Sequence, residues 1–292
     1  MTLPPSYVLI TAARNEDQCI AATIQSVLAQ SARPLRWIIV SDGSTDRTDE
    51  IVSGYAAQHD WIELLRMPRR AERNIAGKVL ALNAGQARVA ALPYDVIAFL
   101  DADISFDSEY FSFLLAKLAA DPQLGLVGTP YQELSGEVYN YRFVSIEHVS
   151  GACQVFRRAC YEAIGGYLPL KGGAIDSIAA ITARMKGWKT RTFTEKVSTH
   201  FRLMGTAQRG PLQARYMMGA RDYAIGNHPL WQLFRCAHQM RKKPYLLRGL
   251  ALAAGYLRAF IRHAQRPVSR EFVCFYRREQ LHRLRTFFLH AN

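Results

Sequence analysis

The stretch VIAFLDADISF, residues 96–106, decides how the chain is read. Five apolar residues, Val96 to Leu100, run into two aspartates with one alanine between them. A short apolar run bounded by turn-forming residues reads as a buried strand. If the strand continues, its alternation puts Asp101 and Asp103 on the same side. Two carboxylates held that close repel each other unless something positive sits between or beside them. A solvated strand end, or an N-cap for a helix starting near Ser108, accounts for this stretch on its own, so its meaning depends on the rest of the chain.

Similar runs precede and follow it. Tyr7–Ala12, Trp37–Val40, Ile62–Leu65 and Leu124–Val127 are short, apolar and turn-bounded, as buried strands should be. Between them, Ile20, Ile24, Val27 and Leu28 share one helical face, and Ile51, Val52 and Tyr55 share another. Ser44 is the expected N-cap of the second helix, with Asp46, Asp49 and Glu50 in its early turns. Strand and helix in alternation predict an α/β fold, a mainly parallel sheet flanked by helices. In such sheets ligands sit beyond the carboxyl ends of the strands. The first strand leads there into Arg14-Asn15-Glu16, the second into Ser41-Asp42-Gly43-Ser44, and the fourth into the Asp101–Asp103 pair. Three polar or acidic termini on one rim look like a site.

At 292 residues, half of them hydrophobic, the chain has ordinary globular composition. Five scattered cysteines make no metal-ligand spacing, so a reduced, cytoplasmic compartment is expected. The N-terminus reads as a leader into a strand rather than a signal peptide. The net charge of +13 is uneven: thirteen Lys/Arg against Glu271 and Glu279 follow residue 234, leaving about +2 for everything before it. A basic tail on a near-neutral body suggests an anionic partner surface, lipid or nucleic acid.

The ordered series ITAARNED, SVLAQ, WIIVSDGSTDRT, GKVLALNAG, FLDADISF, GACQVFRRACYEAIGGY and IDSIAAITARMKGWKTRTF resembles the inverting glycosyltransferases of family 2, over about residues 5–205. The resemblance implies the GT-A fold, a nucleotide-diphosphate sugar donor and a divalent cation, Mn²⁺ or Mg²⁺. The chemistry agrees: a diphosphate leaves poorly until its charge is neutralised, and a cation held by carboxylates and phosphates does this. By the same resemblance Asp103 contacts the metal, and Asp101 is both a metal ligand and a residue near the ribose and diphosphate. Asp42 matches the position that recognises the base, Lys78 lies near the phosphates, and Arg14 and Glu16 join the nucleotide side. Glu16 could equally be a cap or a surface ion pair, and Lys78 a solvated helix residue. His200 matches a third metal ligand, against the alternative of a structural histidine.

Asp176 is the catalytic candidate. An acceptor hydroxyl attacks well only when a positioned base takes its proton. The family takes that base from an acidic pair eleven residues before a glycine, and Asp176 stands in that register before Gly187. The preceding position, often Glu in the family, is Ile175, which leaves one carboxylate; a helix N-cap is the alternative role. Gly165-Gly166 and Gly172-Gly173 bracket a loop where the family binds sugar, or are plain turns. Gln213 and Arg215 stand two apart, so the Gln-x-x-Arg-Trp pattern of processive members is not met, and no apolar stretch is long enough for a membrane channel. Single-sugar transfer to a glycan or polyprenyl-linked acceptor, in bacterial surface polysaccharide assembly, is the expectation.

The catalytic domain is expected over residues 1–205 and a basic helical extension over 206–292. In the extension, Arg248, Arg258, Arg262 and Arg266 fall within about an 80° arc opposite Leu246, Leu250, Leu257, Phe260 and Ile261. This suits a helix lying in an anionic membrane interface on the cytoplasmic face, or one packed apolar-side down on the domain. A nucleic-acid partner is not expected, since neither zinc-finger spacing nor an RNP signature is present. A nucleotidyltransferase, or an inactive sugar- or nucleotide-binding homologue, remains as an alternative.

Overall fold

The computed structural model describes residues 4–69, 75–133, 145–170, 173–201 and 210–289. The chain divides into two compact units, Met1–Arg202 and Leu203–Asn292.

The first unit runs β1 (Tyr7–Ala13), α1 (Ile20–Leu28), β2 (Arg36–Ser41), α2 (Thr48–Ala56), β3 (Ile62–Arg66), α3 (Ile75–Val89), β4 (Val96–Leu100), β5 (Ile104–Ser105) and α4 (Tyr110–Ala120). It continues through β6 (Leu124–Gly128), β7 (Tyr131–Glu133), β8 (Cys153–Arg157), α5 (Arg158–Ala163), α6 (Ile175–Met185), β9 (Lys189–Thr192) and β10 (Ser198–His200). Seven strands form one sheet in the order β3-β2-β1-β4-β8-β6-β9. β3, β2, β1 and β4 pair in parallel, as do β6 and β9, while β8 runs antiparallel to both β4 and β6.

Strand alternation divides the core into two layers. Tyr7, Leu9, Trp37, Ile39, Val96 and Ala98 face α1, α2 and α4, meeting Ile20, Ile24, Val52, Phe111 and Leu114. Val8, Ile10, Ile38, Val40, Ile97 and Phe99 face the other way, toward Val79, Leu82, Tyr161 and Ala179 of α3, α5 and α6. Both faces are covered, which is why these strands read as nearly unbroken apolar runs.

Two local expectations change. Ser44 does not cap α2, which begins only at Thr48. Asp46 Oδ1 accepts from the Thr48 amide at 3.0 Å and its hydroxyl at 2.6 Å, whereas Ser44 Oγ accepts from the Asn15 amide at 3.2 Å. An aspartate two residues before a helix satisfies the early amides locally, which leaves Ser44 to bind the neighbouring loop. β4 ends at Leu100 rather than passing through the aspartates, and Ala102 and Asp103 lie in a turn.

A second, three-stranded sheet has the order β5-β10-β7. Its register sets His200 opposite Ile104 and Thr199 opposite Ser105, next to the turn that follows β4.

The other unit consists of α7 (Pro211–Ala224), α8 (Pro229–Met240), α9 (Leu247–Ile261) and α10 (Arg270–Leu289). α7 and α9 meet backbone to backbone: a Cβ on Gly219 would lie 2.0 Å from the Leu252 carbonyl oxygen, and one on Gly255 1.9 Å from that of Tyr216. A buried polar network ties the helices together. Asn227 donates to Gln232 and accepts from Gln280, and its carbonyl accepts from the Tyr256 hydroxyl.

Candidate active site

β1 lies between β2 and β4 and parallel to both, so the three carboxyl ends open onto one rim. From β1, Asn15 takes a left-handed conformation at φ 56°, and its side-chain oxygen accepts from the Thr45 amide at 2.8 Å. This links the loop after β1 to the loop after β2. Arg14 Nη1 stands 3.8 Å from Asp42 Oδ2, with Asp42 almost fully buried. Glu16 is buried as well; its amide donates to Thr48 Oγ1, and its carbonyl accepts from Cys19 and Ile20 at the start of α1.

The turn after β4 is held from several sides. The Thr23 hydroxyl donates to the Ala102 carbonyl at 2.9 Å. The Asp101 amide donates to the Ala152 carbonyl at 2.9 Å, and the Phe201 amide to that of Asp103 at 3.0 Å. The two carboxylates therefore take different partners: Lys78, near the start of α3, donates to Asp101, while His200 Nε2 lies 3.4 Å from Asp103 Oδ2. His200 is buried against the Tyr131 ring.

Asp176 stands in the first turn of α6, behind Ala174 at φ 65°. Its carboxylate joins the same electrostatic group. Burial works against the charge on Lys78, but Asp101, Asp103 and Asp176 outweigh it and hold the ammonium above its usual range. Burial pushes the Asp101 carboxyl up; Lys78 opposes this, and the like charge of Asp103 adds to it. One lysine among three carboxylates leaves an excess of negative charge. Such a place favours a cation.

Among the described residues, no three His, Cys, Asp or Glu side chains are grouped as a ready-made metal cage. The Asp103 carboxylate and His200 imidazole do supply two adjacent donors. That fits a divalent cation whose remaining ligands come from substrate phosphates and water, as is usual for Mg²⁺.

The sequence reading did not single out three residues here. Asp176 packs against Gly151, in the segment leading into β8. Behind it, Tyr167 donates to Gln154 at 2.6 Å, and Gln154 donates to the Val149 carbonyl at 3.0 Å and more distantly to that of Asp176 at 3.4 Å. A glutamine inside the run Cys153–Phe156 is the signal that could have found this, because a polar side chain in a buried strand needs partners. Gly165, Gly166 and Gly173 all adopt positive φ, while Gly172 lies outside the described residues. The arginines at 248, 258, 262 and 266 belong to the helical unit. Arg258 and Arg262 are exposed; Arg248 donates to the Lys243 carbonyl, and Arg266 lies over the Tyr223 ring and donates to its carbonyl.

Comparison with known proteins adds to this geometry. Residues 8–148 match the family model described as Glycosyl transferase family 2. Poly-beta-1,6-N-acetyl-D-glucosamine synthase of Staphylococcus aureus (strain COL) is 26% identical over 199 residues, covering 66% of this chain and 44% of that protein. Its Staphylococcus epidermidis counterpart is 25% identical over 203 residues. The chain thus spans less than half the length of the curated relatives it matches. Among solved structures, a mannosyltransferase from Pyrobaculum calidifontis in complex with GDP-Man and Mn²⁺ superposes with a TM-score of 0.61 at 18% identity, covering 89% of this chain and 88% of that one. S. aureus TarS 1-349 in complex with UDP-GlcNAc superposes with a TM-score of 0.56 at 14% identity, covering 93% and 78%. With this sheet and this rim, the chain has the GT-A fold of these solved transferases, and its residues 8–148 carry the similarity to the Glycosyl transferase family 2 model.

Proposed function

We propose that the chain is a metal-dependent, inverting transferase that moves one sugar from a nucleotide-diphosphate donor to a glycan or polyprenyl-linked acceptor. The observation that carries this reading is the grouping of Lys78, Asp101, Asp103 and Asp176, with His200 on Asp103. Asp42 and Arg14, with Glu16 beside them, take the nucleotide; Asp101 faces the ribose and diphosphate, and Lys78 offers its ammonium to the phosphates. Asp103 and His200 would hold Mn²⁺ or Mg²⁺, which when bound neutralises charge building on the leaving diphosphate. Asp176 accepts the acceptor hydroxyl proton as that oxygen bonds to the anomeric carbon from the face opposite the diphosphate. The bond from the anomeric carbon to the diphosphate breaks, its electron pair leaves on the diphosphate, and the configuration inverts.

Single transfer rather than polymerisation is favoured by the Gln213-Ala214-Arg215-Tyr216 sequence, which departs from the processive pattern. The relatives named as synthases of a polysaccharide support a role in bacterial surface glycan assembly. A lipid-linked acceptor would be met at the cytoplasmic face of the inner membrane, with the chain peripheral to it.

Thermal melts with UDP-GlcNAc, GDP-mannose and related donors, each with Mn²⁺, test the reading. A cognate donor at about a hundred times its Kd should stabilise the fold by roughly 2.7 kcal/mol. No shift with any nucleotide sugar would reject it.

A further inference from the structure

Helix α9 is apolar on two opposite faces. Gly249, Leu252, Gly255, Tyr256 and Ala259 make one, and all five are buried. The two glycines let neighbouring backbone come close on that side. The opposite face, an arc of roughly 140° at about 100° per residue, carries Leu247, Leu250, Leu257, Phe260 and Ile261, with exposed Leu246 just ahead of the helix. These range from 50% exposed at Leu247 to 72% at Ile261. The helix therefore packs by its small face and leaves its large apolar face open. Of the eighteen exposed large hydrophobic residues among those described, fourteen lie between Leu212 and Leu289. Apolar exposure concentrated in this way marks an interaction surface.

Charge selects the occupant. Residues 235–292 carry thirteen Lys/Arg against two glutamates, a net of +11. Arg241, Lys242 and Lys243 are exposed and separated by Pro244 alone from exposed Tyr245 and Leu246, and exposed Arg258 and Arg262 border the apolar arc on one side. A second copy of the chain would set +11 against +11. An anionic lipid surface instead offers negative headgroups to the arginines and lysines and an acyl boundary to the leucines and phenylalanine. No described helix is long and apolar enough to cross a membrane, so α9 would lie in the plane of the interface.

We propose that the open face of α9, with Arg241–Lys243, Arg258 and Arg262, docks the chain onto an anionic membrane. This deepens the reading above by naming the surface that would bring the transferase to a lipid-linked acceptor. The anchoring side is the Leu/Phe face, with two of the four arginines of the sequence-derived stripe beside it and the other two turned to the protein.

Co-sedimentation of the intact chain with phosphatidylcholine vesicles, with and without phosphatidylglycerol, is the test. The chain should pellet with the anionic vesicles at low salt and be released as salt rises. Arg258→Gln with Arg262→Gln should weaken binding about 30-fold, two residues at about 1 kcal/mol each. Leu257→Ser with Phe260→Ser should abolish pelleting while circular dichroism stays unchanged, since both side chains are already more than half exposed. The proposal is overturned if the intact chain stays in the supernatant at low salt, or if both vesicle types bind it equally. It is also overturned if sedimentation velocity shows a dimer that Leu257→Ser dissolves. Vesicle binding needs neither donor nor acceptor, so its failure leaves the transferase reading intact.

Discussion

Asp176 rests its side chain on Gly151: a Cβ built on that glycine would lie 3.2 Å from Asp176 Cβ and 3.4 Å from Oδ2. Only a residue without a side chain lets the carboxylate occupy that position undisturbed. Gly151→Ala should therefore push Asp176 aside by a few tenths of an ångström without touching the proposed nucleotide residues. Misplacement on this scale is expected to lower kcat about tenfold, with donor Kd unchanged by calorimetry. If kcat holds while donor affinity falls, Gly151 serves the donor and not the base.

Asp176→Asn removes the proposed proton acceptor but keeps the size and shape of the side chain. A lost general base typically costs a factor of about 10²–10⁴, and the loss should appear in kcat with donor Kd intact. Normal turnover at saturating donor, with weakened donor binding, would make Asp176 a binding residue.

Asp103 and His200 form the proposed cation end of the site, 3.4 Å apart. Nucleotide-diphosphate affinity should drop when a chelator is added to the intact protein. Asp103→Ala should bind as weakly with Mn²⁺ as the intact protein does without it. The cost should exceed the roughly 10–100-fold typical of losing an outer-shell partner. Equal affinity with and without chelator removes the metal from this site.

The sheet was legible because its strands are buried on both faces and so read as apolar runs: each of the five runs picked from sequence is a strand. β8 was not, because Cys153–Arg157 carries a buried glutamine and ends in an arginine, and nothing local says that it runs antiparallel. The polar rim could be read from where those runs end. What brings Asp176 to Lys78 could not, since it depends on Gly151 and on a strand pairing that joins residues about fifty positions apart, Leu100 and Cys153. Ser44 was misread for a local reason: Asp46 lies nearer the helix and takes the amide first. In α9 the apolar positions were recognised, but periodicity gives no sign of which apolar face is packed. The small residues decided that, by allowing α7 to approach.

Glu63 on β3 makes the most direct pH prediction. Its carboxylate accepts from Arg36 Nη2 at 2.9 Å and from Arg88 Nε at 2.8 Å, joining β2, β3 and α3. Burial pushes its pKa up, but the two guanidiniums outweigh this and hold the carboxyl below its usual range. A group whose folded value lies below its unfolded one stabilises the fold above the unfolded value. That stability is lost as pH falls through the folded value. Glu63→Gln keeps the shape and removes the charge, so it should destabilise the chain by about 1 kcal/mol at neutral pH, the upper end for partly exposed pairs. The gap in urea midpoint between the two proteins should stay constant down to about pH 4.5 and then close, because an unperturbed glutamate titrates near 4.3. A gap that persists unchanged after the pH has fallen through the folded value would assign the cost of Glu63→Gln to packing and not to the ion pairs.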